Sequence, residues 1–169
     1  MIIHKPRFKF LLNKEFISFS FAIKKPQYCF GLRNQVSENE YIPFFDFDDV
    51  DYLTVEKFSE WLYYFYDGKY GYTILQSSEG NYHVILWKIV VRDVYLHQLI
   101  EALAYGLDKG YIQVFLSRGF SVLRISPKGQ KLIPKVIEYM QGKKCTDEEI
   151  MKKLFEANKQ LIVYTTFNY

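Results

Sequence analysis

Apolar positions along the chain change period several times, and each change marks an element. In "FKFLLNKEFISFSFAIKK", within residues 8–33, β-formers with polar interruptions predict two short strands, with Pro26 ending the run. Residues 41–48 read as a strand. From Thr54, "TVEKFSEWLYYFYDG" sets Val55, Phe58, Trp61, Leu62 and Phe65 at helical spacing until Gly68 stops it. "GYTILQSSEGNYHVILWKIVV" predicts two antiparallel strands joined at "SSEG". "VRDVYLHQLIEALAYGLDKG" puts Leu96, Leu99, Ile100, Leu103 and Leu107 on one face of a helix of about four turns ending at Gly110. Two further short strands, "YIQVFLS" and "FSVLRIS", follow around Gly119, and Pro127 closes the second. "TDEEIMKKLFEANKQ" opens with a Thr146/Glu149 capping box and predicts a polar late helix. The pattern is that of an α+β fold: a mainly antiparallel sheet with helices on one face and the other face open.

Composition narrows this picture. At 169 residues and 49% hydrophobic content, the chain has material for one well-filled core, and no linker, repeat or low-complexity tract divides it. The expected organisation is a single domain over 1–169, with a motif-bearing core at about 41–130 and a helical tail at about 131–169. Net charge is +3, which permits a nucleic-acid partner without requiring one, although Lys and Arg cluster in "HKPRFKF" and "KKPQYCFGLR". Aromatics reach 19%, enough to supply stacking faces as well as core filling. Cys29 and Cys145 form neither a disulfide framework nor a zinc pattern, and no apolar run approaches a membrane span. A soluble, intracellular, cytoplasmic protein with no membrane contact is expected.

Against that background "YIPFFDFDDVDY" is anomalous, because Asp46 and Asp48 interrupt an apolar strand. Residues two apart on a strand share a face, with Cα atoms roughly 6.5 to 7 Å apart, while Phe45 and Phe47 turn inward. A carboxylate pair among apolar neighbours needs cations or hydrogen bonds, and hard oxygen ligands suit Mg²⁺ or Mn²⁺. A solvated acidic turn is the alternative, since Asp49 and Asp51 continue the charge. Two other strands carry chemistry. His83 follows the Gly turn bearing Ser77 and Ser78, where imidazole, hydroxyls and turn amides can hold a phosphate; a hydrogen-bonded sheet-edge histidine is the plainer reading. Arg124, with Val122 and Ser126 on one strand face, needs an anion: a phosphate, with Lys128 adding charge, or one of the motif aspartates.

Together these motifs resemble the archaeo-eukaryotic primase superfamily, especially the minimal primase-polymerases of plasmids and viruses. "FFDFDD" matches the family's acidic first motif at Asp46 and Asp48, and "SSEGNYHVILW" is similar to the RepB-type second motif at Ser78, Gly80, Tyr82 and His83. "GLDKGYIQVFLSRGFSVLRISPKG" is similar to the third region, with Asp108 as a metal-binding acid and Arg124 and Lys128 as basic positions. The same Asp108 also fits a helix-end role. The resemblance spans about residues 41–130 and lacks the zinc-binding cluster of many primases. It implies an RRM-like fold and two Mg²⁺ or Mn²⁺ ions on Asp46, Asp48 and Asp108. Ser78, His83, Arg124 and Lys128 would then bind the nucleoside triphosphate for template-directed transfer on single-stranded DNA. A helicase or other replication protein is the further partner it suggests. The basic N-terminal strands and exposed tyrosines would hold template. The competing expectation is a non-catalytic RRM-like module for single-stranded nucleic acid, because "SRGFSVL" echoes a basic-Gly-aromatic RNA-binding strand. A rolling-circle nuclease is excluded, as His4, His83 and His97 are too widely spaced for its metal motif.

Overall fold

The computed structural model describes residues 7–12, 15–20, 27–126, 133–159 and 162–166. The chain runs β1 (Arg7–Leu12), β2 (Glu15–Ser20), β3 (Gln27–Arg33), β4 (Gln35–Ser37), β5 (Glu40–Tyr41) and β6 (Phe44–Phe47), then α1 (Tyr52–Phe65). A hairpin of β7 (Tyr72–Ser78) and β8 (Asn81–Leu86) follows, then β9 (Val90–Val91), α2 (Arg92–Ala102) and a 3-10 turn (Leu103–Tyr105). The remainder is α3 (Lys109–Arg118), β10 (Val122–Arg124), β11 (Lys135–Met140), α4 (Asp147–Ala157) and β12 (Ile162–Thr166). The fold is α+β, and every strand pairing among the described residues is antiparallel.

The principal sheet has strand order β11-β7-β8-β6. Its centre is a split unit in which β8 lies between β6 and β7, the two strands that α1 connects. α1 packs on one face, where Phe45 and Phe47 meet Phe58 edge-on with ring centroids 4.8 and 5.2 Å apart. Burying a phenylalanine fully contributes roughly 2–3 kcal/mol, so this three-ring cluster is a main anchor of helix to sheet. A smaller sheet, β10-β3-β12, approaches through β10, which touches β6; β1 pairs with β2, and β4, β5 and β9 form another small sheet.

Several expected elements form as their chemistry demands. Gly68, at φ 69°, terminates α1 with its N–H on the Tyr63 carbonyl at 2.8 Å. The β7–β8 hairpin turns at Glu79–Gly80 with Gly80 at φ 71°, and Trp87 Nε1 donates to Thr73 Oγ1 at 2.8 Å. Helix α1 begins earlier than expected: Asp51 is the cap, its Oδ1 accepting from the Thr54 N–H at 3.0 Å and its Oδ2 from the Thr54 hydroxyl at 2.7 Å. Those bonds hold the Asp51 carboxyl below its ordinary range, the Thr54 hydroxyl contributing most.

Other expectations need correction. "YIQVFLS" is not a strand but most of α3, because Tyr111 and Phe115 bury at a spacing of four while Leu116 stays exposed. Its β-forming composition is overridden by that tertiary demand. The preceding helix is shorter than four turns: it gives way to the 3-10 turn, and Gly106 at φ 88° ends it well before Gly110. Its inner face carries Tyr95, Leu99 and Ala102, leaving Ile100 and Leu103 exposed. The region after 131 is not purely helical, since β11 extends the principal sheet and β12 pairs with β3. Residues 8–33 hold the two expected strands and a third, β3, after Pro26. The Thr146/Glu149 box does not close; Thr146 caps α4 without a side-chain hydrogen bond. The face opposite α1 is also less open than expected, with His83 and Ile85 both buried. No described helix is long and apolar enough to cross a membrane.

Candidate metal centre

Three separate chain segments meet at the end of β6. Register pairs Asp46 with His83 across β6 and β8, because Phe45 and Phe47 must face α1 and alternation turns Asp46 the other way. Asp48 follows the last strand residue. Beyond it Asp49 adopts φ 58°, and the Val50 N–H bonds the Gly80 carbonyl at 3.0 Å, tying this loop to the hairpin turn. The third segment arrives through a bridge of Phe47 to Leu107, and the Asp108 N–H bonds the Asp46 carbonyl at 3.0 Å.

The outcome is a triad in which Asp46, Asp48 and Asp108 each place a carboxylate oxygen within 4.8 Å of the others. Two unit charges at such a separation repel by roughly 3 kcal/mol at an effective dielectric of about 20, a repulsion that a cation between them would relieve. Asp108 also caps α3, its Oδ1 accepting from the Gly110 N–H at 3.0 Å, which leaves the second oxygen for another ligand. The sequence offered metal ligation and helix capping as alternatives for Asp108. The geometry accommodates both, with the capped helix being α3 rather than the one before it.

His83 is the second unusual group. Its side chain is 8% exposed and its Nδ1 lies 2.9 Å from Asp46 Oδ1, although the ring N–H does not align with that oxygen. Neither ring nitrogen nor Asp46 Oδ1 makes an aligned hydrogen bond, which is costly for buried polar atoms and uncommon outside functional sites.

A cleft of about 230 Å³ opens beside the acids, and Asp46, Asp108, Tyr111, Val114, Arg118 and Val122 line it. Tyr111, Val114 and Arg118 fall at i, i+3 and i+7, one face of α3. Burial raises the Tyr111 hydroxyl pKa well above its ordinary value, the neighbouring Tyr95 adding to it and the Asp46 charge contributing less, so the phenol stays protonated. Arg118 is exposed, and among the described residues it has no ion-pair partner. These residues escape a reading that takes 111–117 as a strand; a helical period over the same segment would have found them.

The other expected site residues are distributed differently. Arg124 is buried and donates through Nη1 to the Ser126 carbonyl, and Val122, two residues earlier, is the β10 residue that lines the acidic cleft. Ser78 accepts from Asn81 Nδ2 at 2.8 Å and lines a separate cleft of about 390 Å³ with Ser77, Gln76 and Lys135. Lys128 lies outside the described residues, as do the side chains of the basic N-terminal strands. No family model, no curated protein and no solved structure matches this chain.

Proposed function

We propose that the chain is a minimal DNA primase-polymerase that transfers nucleotides onto a primer or initiating hydroxyl along a single-stranded template. One observation carries the reading: three carboxylates, two from the end of β6 and one from the start of α3, converge within 4.8 Å beside a buried histidine whose Nδ1 lies 2.9 Å from Asp46 Oδ1. The strand order β7-β8-β6, with α1 joining its outer members and β10 against β6, supports an RRM-like arrangement of the working sheet.

The donor set fits Mg²⁺ or Mn²⁺, since all three ligands are hard oxygens and Asp46 Oδ1 is without an aligned hydrogen bond. Asp46, Asp48 and Asp108 would hold the ions, which when bound neutralise charge developing on the attacking and leaving oxygens. The chain's own residues position the reactants. His83 Nε2 would donate to a triphosphate oxygen, while its Nδ1 side stays against Asp46. Arg124 and Lys128 would supply further phosphate contacts, whereas Ser78, which opens onto the other cleft, would not. The 3′-oxygen would form a bond to the α-phosphorus, its proton passing to solvent, as the bond to the leaving pyrophosphate breaks. Rate enhancement would come from positioning and electrostatics, with no covalent intermediate. A nucleoside triphosphate substrate implies an intracellular setting, with replication proteins as partners.

The test is Mn²⁺-dependent incorporation of labelled nucleotides on primed and unprimed single-stranded templates. Incorporation by the wild type, abolished in Asp46→Ala/Asp48→Ala, is expected; equal incorporation by both removes the enzymatic reading. Nucleoside triphosphate with Mn²⁺ should also raise the melting temperature of the wild type but not of His83→Ala. Nothing favours the non-catalytic module: Arg118–Gly119 ends a helix rather than beginning an RNA-binding strand, and the Phe120 ring is covered by the Arg33 guanidinium at 4.2 Å.

A further inference from the structure

A second site lies where the chain leaves β8. Gly71 and Gly142 pass so closely that a Cβ on Gly142 would sit 2.5 Å from the Gly71 nitrogen. This crossing, with the Lys143 N–H on the Gly68 carbonyl at 2.9 Å and the Lys144 N–H on the Lys69 carbonyl at 3.1 Å, forces three lysines together. Lys88 adds a fourth cation, its Nζ 4.4 Å from the Tyr66 ring centroid and 4.7 Å from that of Tyr70. Lys144 approaches Tyr70 from elsewhere, its Nζ 5.2 Å from the ring centroid and 3.4 Å from the hydroxyl. The acids nearby are Asp67, paired with Lys69 at 2.8 Å, Asp147, whose Oδ2 accepts from the Tyr139 hydroxyl at 2.9 Å, and Glu149, which lines the same cleft and lies 3.5 Å from Lys153.

Three features of this cluster point to a phosphate-bearing polymer. Lys88, Lys144 and Tyr70 line one cleft of about 220 Å³. Thr146 lines it too, and its buried hydroxyl oxygen has no hydrogen-bond partner. Next to the cleft runs a chain of rings, Trp61–Phe65–Tyr66–Tyr70, with successive centroids 5.4, 4.9 and 5.7 Å apart and the last two contacts edge to face, in which Phe65 is 53% exposed. Two lysines lining one cleft favour an external anion, and an exposed aromatic face beside them favours one that carries bases.

We infer that this surface binds single-stranded nucleic acid, one backbone phosphate lying between Lys88 and Lys144 with a base against Phe65. Lys88 is five residues from His83, at most roughly 17 Å along an extended chain, so one strand can span both sites. The inference is independent of catalysis at the acidic centre. Fluorescence anisotropy of labelled single-stranded oligonucleotides in EDTA tests it without metal, using DNA and RNA of the same sequence in parallel arms. Lys88→Ala/Lys144→Ala should weaken binding at least tenfold and reduce the salt slope by about 0.7, as expected when one phosphate is no longer neutralised. Phe65→Ala should weaken it about tenfold through lost stacking. The charge-matched control Lys57→Ala/Lys152→Ala should bind like wild type, and Lys88→Arg/Lys144→Arg should retain binding. Unchanged affinity in the Lys88/Lys144 alanine variant, an equal loss in the control, or tighter binding of an acidic peptide or anionic vesicles than of either oligonucleotide would each overturn the inference.

Discussion

Glu138 on β11 and Asp46 on β6 belong to the same four-stranded sheet, on opposite faces by register, and their surroundings differ in kind. Glu138 is half-buried and satisfied: the hydroxyls of Tyr52 and Tyr72 both donate to it, the latter at 2.5 Å. Burial, reinforced by those bonds, raises both phenols' pKa well above their ordinary value, so they stay protonated donors across the accessible pH range. Asp46 has the reverse environment, with two more carboxylates within 4.8 Å and a buried imidazole whose N–H is not aligned with it. A carboxylate with its donors in place fastens α1 to the sheet. One facing like charge and unmade hydrogen bonds is held there by the backbone around it, and is the one available to a ligand.

The largest expected effect separates the two in activity. Removing both Asp46 and Asp48 side chains should lower nucleotide incorporation at least about a thousandfold, whereas Glu138→Gln should leave it within about threefold of wild type, read by single-turnover rates. Comparable losses in both variants would erase the distinction. Stability should show the opposite ranking. Glu138→Ala strands two tyrosyl hydroxyls and should cost about 3 kcal/mol in urea unfolding, while Asp46→Asn, which relieves like-charge repulsion, should cost less than about 1 kcal/mol in metal-free buffer.

Metal sharpens the contrast further. At a hundred times its dissociation constant, Mn²⁺ should stabilise the wild type by about 2.7 kcal/mol, and the shift should vanish in Asp46→Ala/Asp48→Ala but persist in Glu138→Gln, as measured calorimetrically. The smallest effect concerns the ionisation of two phenols. Burial pushes the Tyr95 and Tyr66 phenols up to about 12, and a group whose folded pKa is raised contributes stability that is present below its unfolded value near 10. Unfolding free energy should therefore be insensitive to these phenols below pH 10 and decline from there through about pH 12. Tyr95→Phe should lose about 1 kcal/mol at neutral pH, because the Phe44 carbonyl forfeits its 2.6 Å donor, and should show a shallower alkaline decline.

Much of the local architecture was legible without coordinates. The run Phe44–Phe47, the α1 repeat of Val55, Phe58 and Leu62, and the Gly80 turn all obey short-range rules, because period and turn chemistry depend on a few neighbouring residues. Phe65 and Trp61 show the limit of that reading: they share the repeat but sit at the edge of the stripe, exposed and half-buried. The segment 111–117 misled for the same reason, since β-forming side chains went into a helix when Tyr111 and Phe115 were needed in the core.

The amino-acid order alone determined that two acids would stand one residue apart at the end of an apolar strand, and that a histidine would follow a glycine turn. Only the tertiary structure decided that His83 faces Asp46 in register, that Asp108 joins them from sixty residues away through the Phe47–Leu107 bridge, and that Ser78 opens onto another cleft. The reason is range. Alternation and capping act over two to four residues, whereas the meeting of three chain segments depends on strand order, register and core packing, which no local pattern encodes.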